Sequence, residues 1–170
     1  MFDLNLRVCD SLIAEGLRPY SFSPFPLLEA AGRAGASWLH GIASSGLTPV
    51  TFGDVVLDAG GFRILSGDTI ALLLSRLLKP ERCIFVMDVE GVMGPRGVLK
   101  TVDERGADAL GGVRSGDATG GIAQKVRDAL SIAAGGTEVS FVSGFRPTEF
   151  SKALKGLRFH GTTVKVPSRD

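Results

Sequence analysis

The sequence predicts an α/β fold whose sheet is mainly parallel and covered by helices. Strand-type and helix-type segments alternate along the chain, the pattern of strands joined through crossover helices. Cys83–Met87 and Val139–Val142 are continuous apolar runs of strand length, as strands buried on both faces require. The 170 residues, 44% hydrophobic and 22% charged, suffice for one domain with a sizeable core.

Taken in order, Leu4, Val8 and Leu12 recur at helical spacing with Cys9 and Ile13 beside them, an amphipathic helix closed by Gly16. Leu17–Phe22 reads as a short strand, Ser23-Pro24-Phe25-Pro26 as a turn or loop, and Ala36–Ser44 as a helix ending at Gly46. Thr48–Phe52 is strand-like. Val55–Leu57 and Phe62–Leu65 flank Asp58-Ala59-Gly60-Gly61, a hairpin signal. Asp68 is the expected N-cap of a helix from Thr69 to Leu78, stopped by Pro80. After the Cys83–Met87 strand, Val89–Gly116 reads mostly as loop with a short element or two. A helix from about Gly121 to Ala134 ends at Gly135-Gly136. Val139–Val142 is a strand, Thr148–Leu154 a short helix and Thr162–Val166 a final strand.

Several function classes fall away. A formal charge of +1 offers no basic field for nucleic acid. Cys9 and Cys83 are far apart, which argues against a disulfide or metal framework and fits a reduced cytosol. The richest apolar stretch, Thr69–Leu78, is interrupted by Ser75 and Arg76, and Asp3 and Arg7 do not suit a signal peptide, so a cytoplasmic location is expected. His40 and His160 lack the local partners of a Ser/His/Asp hydrolase. Without Gly-x-Gly or Gly-Lys-Ser/Thr, neither a dinucleotide fingerprint nor a P-loop is present.

Three segments remain as candidates for chemistry. At Ser66-Gly67-Asp68 a strand hands over to a helix. Gly67 N–H can hold a phosphate there, or the segment is only a capped turn. Asp88 closes the Cys83–Met87 strand, where the ligand crevice of an open α/β sheet lies. It can serve a nucleotide or orient a lysine, or form an ordinary Asx-type turn. Gly121 and Lys125 stand one helical turn apart after Asp117-Ala118-Thr119-Gly120. The lysine can fold back toward an anion, or be a solvated helix charge.

Together these blocks resemble the amino acid kinase family, and within it the isopentenyl phosphate kinases. Thr48-Pro49-Val50-Thr51-Phe52-Gly53-Asp54-Val55-Val56, with Ile64-Leu65-Ser66-Gly67-Asp68 after it, is similar to their central block. Met87-Asp88-Val89-Glu90-Gly91-Val92 resembles their Asp-Val-Asp-Gly-Val element, with Glu90 in place of the second Asp. Asp117-Ala118-Thr119-Gly120-Gly121-Ile122 with Lys125 resembles Asp-Val-Thr-Gly-Gly-Met…Lys, and Gly156 with Gly161-Thr162 matches the closing hairpin.

The resemblance implies a three-layer αβα sandwich of amino-acid-kinase type, N-terminally truncated. Residues 1–170 would be a single domain forming its C-terminal, mostly ATP-binding portion. It implies contact of Gly67 with the substrate phosphate and ATP-binding positions at Asp88, Gly121 and Lys125. The implied activity is phosphoryl transfer from ATP, with Mg²⁺, to isopentenyl phosphate as small-molecule partner, by a homodimer without nucleic acid or membrane. The family's Lys-Leu-Gly-Gly-Ser and His-Gly-Gly-Gly-Ser-Phe-Gly-His segments are not in these residues. Catalytic groups are therefore expected in a missing N-terminal portion, encoded upstream or carried by a separate fragment, and none is assigned here; nor is a metal ligand. Two other readings stay open: a kinase of the same family acting on a phosphonate or nucleoside monophosphate, and a non-catalytic nucleotide-binding subunit.

Overall fold

A computed structural model describes residues 1–24, 33–58, 60–111 and 121–166. The chain divides into two units, Met1–Leu73 and Leu74–Asp170. In the first, α1 (Phe2–Ala14) leads to β1 (Pro19–Ser21), and α2 (Arg33–Ser44) to β2 (Thr48–Val50). β1 and β2 pair in parallel, Pro19 opposite Thr48. Both strands are shorter than the apolar runs predict, yet the pairing reaches past them. Thr48 N–H donates to Arg18 O at 2.8 Å and Phe22 N–H to Val50 O at 3.0 Å. α2 begins at Arg33, ahead of the predicted Ala36, and buries Leu39 and Ile42. Trp38 meets Phe22 edge to face, with ring centroids 4.9 Å apart.

β3 (Asp54–Asp58) and β4 (Gly61–Leu65) form the predicted antiparallel hairpin, with Val55 opposite Ile64 and Leu57 opposite Phe62. α3 (Gly67–Leu78) follows and runs across the division between the units. Its cap differs from the expectation. Ser66 Oγ accepts the Thr69 N–H at 3.2 Å, so Ser66 takes the capping place and Asp68 lies inside the first turn. The shorter serine stands one residue before the first helical position, where a side-chain oxygen reaches the third N–H. Asp68 then contributes its charge near the positive end of the helix.

The second unit is built on a four-stranded sheet in the order β5-β9-β10-β8. β5 (Arg82–Met87) and β9 (Glu138–Ser143) run parallel, Phe85 opposite Phe141. β10 (Thr162–Val164) is antiparallel to β9 and parallel to β8 (Thr101–Val102). Between β5 and β8 lies a small hairpin, β6 (Met93–Gly94) with β7 (Gly97–Val98). α4 (Glu104–Gly111) and α5 (Gly121–Ala134) complete this side, and α6 (Pro147–Leu154) follows β9.

α5 covers the face carrying Phe85 and Phe141, because its Lys125 lies over the Phe85 ring. α6 packs on β5 and β9 and takes the other face, where Ser140 and Val142 are buried. The Val139–Val142 run is buried on both faces as predicted, whereas in the Cys83–Met87 run Val86, opposite Val142, stands 55% exposed. Among the described residues, no helix is long and apolar enough to cross a membrane.

Candidate functional site

Asp88 follows the last residue of β5 and is exposed there, at the carboxyl end of the parallel pair β5–β9. Ligand crevices of open α/β sheets form at such ends. The chain beyond it is held from a distance. Val92 N–H donates to Thr162 Oγ1 at 2.9 Å, and that hydroxyl donates to Leu99 O at 2.6 Å. Gly91 lies against this hydroxyl: a Cβ there would stand 2.7 Å from Thr162 Oγ1 and 2.9 Å from Val98 Cγ1. Glycine at 91 is thus required by packing.

Glu90 projects from the same loop and pairs with Arg146, and its other oxygen is 3.3 Å from His160 Nε2. His160 N–H in turn donates to Glu149 Oε2 at 2.6 Å, and Lys152 Nζ to Glu149 Oε1 at 2.7 Å. The Lys152 hydrogen bond foremost, then the His160 N–H, holds the Glu149 carboxyl below its ordinary range. Local spacing carries no sign of the Glu90–His160 contact, whose partners are 70 residues apart.

On the α5 side, Gly121 opens the helix with φ of 61°, a left-handed conformation that favours glycine. Lys125 is half-buried, its Nζ 5.7 Å from the centroid of Phe85. Phe85 stacks on Phe141 at 5.1 Å, so the lysine stands over the centre of the parallel pair whose β5 strand ends just before Asp88. The Asp117-Ala118-Thr119-Gly120 part of the motif lies outside the described residues.

Asp88, Gly121 and Lys125 therefore belong to the second unit and Gly67 to the first. Gly67 is the first residue of α3 and is exposed, and a Cβ built on it meets nothing within 4 Å. Packing among the described residues gives no reason for glycine there, in contrast to Gly91. The described residues contain no group of three or more His, Cys, Asp or Glu able to hold a metal ion.

The amino acid kinase family model matches residues 1–143. An isopentenyl phosphate kinase of Methanothermobacter thermautotrophicus is 36% identical over 177 residues, which take in 95% of this chain and 66% of that protein. One from Arabidopsis thaliana is 31% identical over 91% of this chain and 55% of its own length. Among solved structures, the product complex of the T. acidophilum isopentenyl phosphate kinase superposes with a TM-score of 0.73 at 27% identity. It covers 96% of this chain and 66% of that one. The chain thus spans just under two thirds of relatives it matches almost from end to end. Four sequence blocks in the family's order, a parallel-containing sheet with helices on both faces, and these likenesses lead to one conclusion: the chain belongs to the amino acid kinase family.

Proposed function

We propose that this chain serves ATP-dependent phosphorylation of isopentenyl phosphate to isopentenyl diphosphate, a step of isoprenoid biosynthesis. The observation that carries the proposal is Lys125, held one turn inside a glycine-started helix over the strand that ends just before Asp88. The acceptor is taken from the relatives, which bear the name isopentenyl phosphate kinase. Both units are read as parts of one amino acid kinase domain, its mostly ATP-binding portion.

In the proposed reaction an acceptor phosphate oxygen attacks the γ-phosphorus of ATP. The bond from that phosphorus to the β,γ-bridging oxygen breaks, and ADP leaves with the electron pair. The acceptor is already an anion, so no strong general base is needed. Rate comes from positioning and from neutralising charge on the transferring group. Lys125 supplies a positive charge to the ATP phosphates, the Gly121 N–H a donor, and Asp88 a hydrogen-bond acceptor toward the nucleotide. Mg²⁺ would arrive with ATP and would lower the negative charge of its phosphates, and no ligand to it is assigned among these residues. Gly67, at the start of α3, would offer its N–H to the acceptor phosphate. A cytoplasmic homodimer completes the reading, its subunit count open to light scattering.

The test is transfer of labelled γ-phosphate from Mg·ATP to isopentenyl phosphate by the protein as its gene encodes it. Labelled isopentenyl diphosphate is the expected product. ATP binding without transfer to this acceptor, or to a phosphonate or nucleoside monophosphate, would instead identify a non-catalytic nucleotide-binding subunit.

A further inference from the structure

The second unit carries a cleft of about 560 Å³ that phosphoryl transfer leaves unused. Strand alternation fixes its place. Thr162 is in register with Phe141 and Thr163 with Ser140, and successive side chains of a strand point to opposite faces. Lys125 lies on the Phe141 side, so Thr163, which lines the cleft, points away from it. At Thr163 the cleft thus lies on the face of the sheet opposite the lysine assigned to ATP.

The wall of the cleft holds Lys100, Lys152 and Arg158 against one carboxylate, Glu149, with Phe159 and His160 beside them. Glu149 is already engaged by Lys152 Nζ and the His160 N–H. Lys100 and Arg158 are exposed, and neither enters an ion pair among the described residues. Two like charges converging on one concavity repel, and an anion between them relieves that repulsion while accepting charge-assisted hydrogen bonds. The half-buried Phe159 offers apolar surface beside the charges. Both features together describe a phosphate ester more closely than a bare inorganic ion.

We propose that this cleft binds a small phosphate-bearing anion, its phosphate between Lys100 and Arg158 and its carbon portion against Phe159. The His160 ring that lines the cleft also meets Glu90, two residues beyond Asp88. Occupancy of the cleft therefore reaches the loop at the end of β5 through His160 and Glu90. The binding itself does not rest on the nucleotide reading of Asp88.

The chain has only two histidines, so the imidazole Hε1 signals of His40 and His160 are assigned in proton NMR by a His40→Gln variant. Inorganic pyrophosphate is titrated at fixed pH and ionic strength. A saturable shift of the His160 signal, with His40 unmoved, is the expected result. Lys100→Ala with Arg158→Ala should weaken that binding by about ten-fold or more, the scale of lost charge-assisted hydrogen bonds. Lys125→Ala should leave the curve in place. The Lys100→Gln/Arg158→Gln pair, with circular dichroism, guards against a folding effect.

An unchanged curve in both double variants, or parallel unsaturated shifts of both histidines, overturns the proposal. So does loss of the curve in Lys125→Ala, which would move pyrophosphate to the nucleotide side. Isopentenyl diphosphate should bind more tightly than pyrophosphate, and Phe159→Ala should erase the difference; equal affinities in the parent chain overturn the role given to Phe159. Failure of ATP binding would leave all these outcomes standing, so the two readings fail separately.

Discussion

Two sheets of nearly equal apolar content meet opposite fates. In the second unit, β9 is sealed on both sides: Val139, Phe141 and Val142 are all buried. In the first, the β3–β4 hairpin buries Val56 and Leu65 on one face, while its other face is bare. Val55, Leu57, Phe62 and Ile64 are cross-strand neighbours on that face and stand 59%, 68%, 82% and 64% exposed. Cross-strand pairing organises both sheets. Only the covered one gains the full return of roughly 25 cal/mol per Å² of apolar surface removed from water. A strand's residues thus specify its pairing partners, whereas its contribution to stability depends on what lies over it.

The strongest way to break this comparison is to truncate one phenylalanine from each sheet. Phe141→Ala removes a fully buried ring that stacks on Phe85, and should cost about 3–5 kcal/mol in urea unfolding. Phe62→Ala should change stability by about 0.5 kcal/mol or less, as for other exposed positions. Equal losses would mean that the hairpin face is covered in solution.

Glycines divide the same way. Gly91→Ala drives a methyl group into Thr162 Oγ1, which cannot yield because it is tied to both Val92 N–H and Leu99 O. A loss of about 1–3 kcal/mol is expected, visible as a lower melting temperature. Gly67→Ala meets open space at the start of a helix and should be neutral or stabilising by about 0.4–1 kcal/mol. If a phosphate approaches Gly67, the same variant weakens isopentenyl phosphate binding in a calorimetric titration while the melt holds. Loss of fold together with binding would make Gly67 a turn residue only.

Lys125→Ala sharpens the contrast between cover and chemistry within α5. Its neighbours Ala123, Val126 and Ala129 are buried, and the lysine places a charge over Phe85 of the sheet. ATP affinity should fall by about 1–3 kcal/mol, the worth of a charge-assisted hydrogen bond. Unchanged affinity would leave Lys125 as a cation resting on Phe85.

The elements most legible in the sequence are those whose cover is local or complete. The helix Gly121–Ala134 has its predicted bounds, and Cys83–Met87 and Val139–Val142 differ from β5 and β9 only at polar ends such as Arg82 and Glu138, which pair in register. The stretch after Asp88 carries little local signal. β6, β7 and β8 are two residues each, too short for a period, and Thr162 holds the loop before them from 70 positions away. The same distance hides the Glu90–His160 contact, whereas the candidates Asp88, Gly121 and Lys125 rest on a local signal, a strand end or the first turns of a helix. The cap of α3 is Ser66 where the sequence predicts Asp68, because both suit a helix start and only geometry decides which oxygen faces Thr69 N–H.

The smallest effect expected is electrostatic, and it lies at the edge of the covered sheet. Glu149 accepts from Lys152 and from His160 N–H, and its carboxyl is held below its ordinary value of 4.5. A carboxyl whose pKa falls on folding stabilises the fold at pH above its unfolded value, because the charged form is favoured in the native state. That contribution disappears as pH drops through the folded value. Glu149→Gln removes the charge while keeping an oxygen for the His160 N–H. Melting curves of the parent and of this variant should therefore be offset by a small, constant amount at neutral pH, with the parent more stable. The offset should close as pH falls below 4.5. Added salt should shrink it at neutral pH, since the Lys152 ammonium is nearly half exposed. An offset that persists at acid pH would show that Glu149 acts through the shape of its hydrogen bonds and that its charge contributes nothing to holding the segment between α6 and β10.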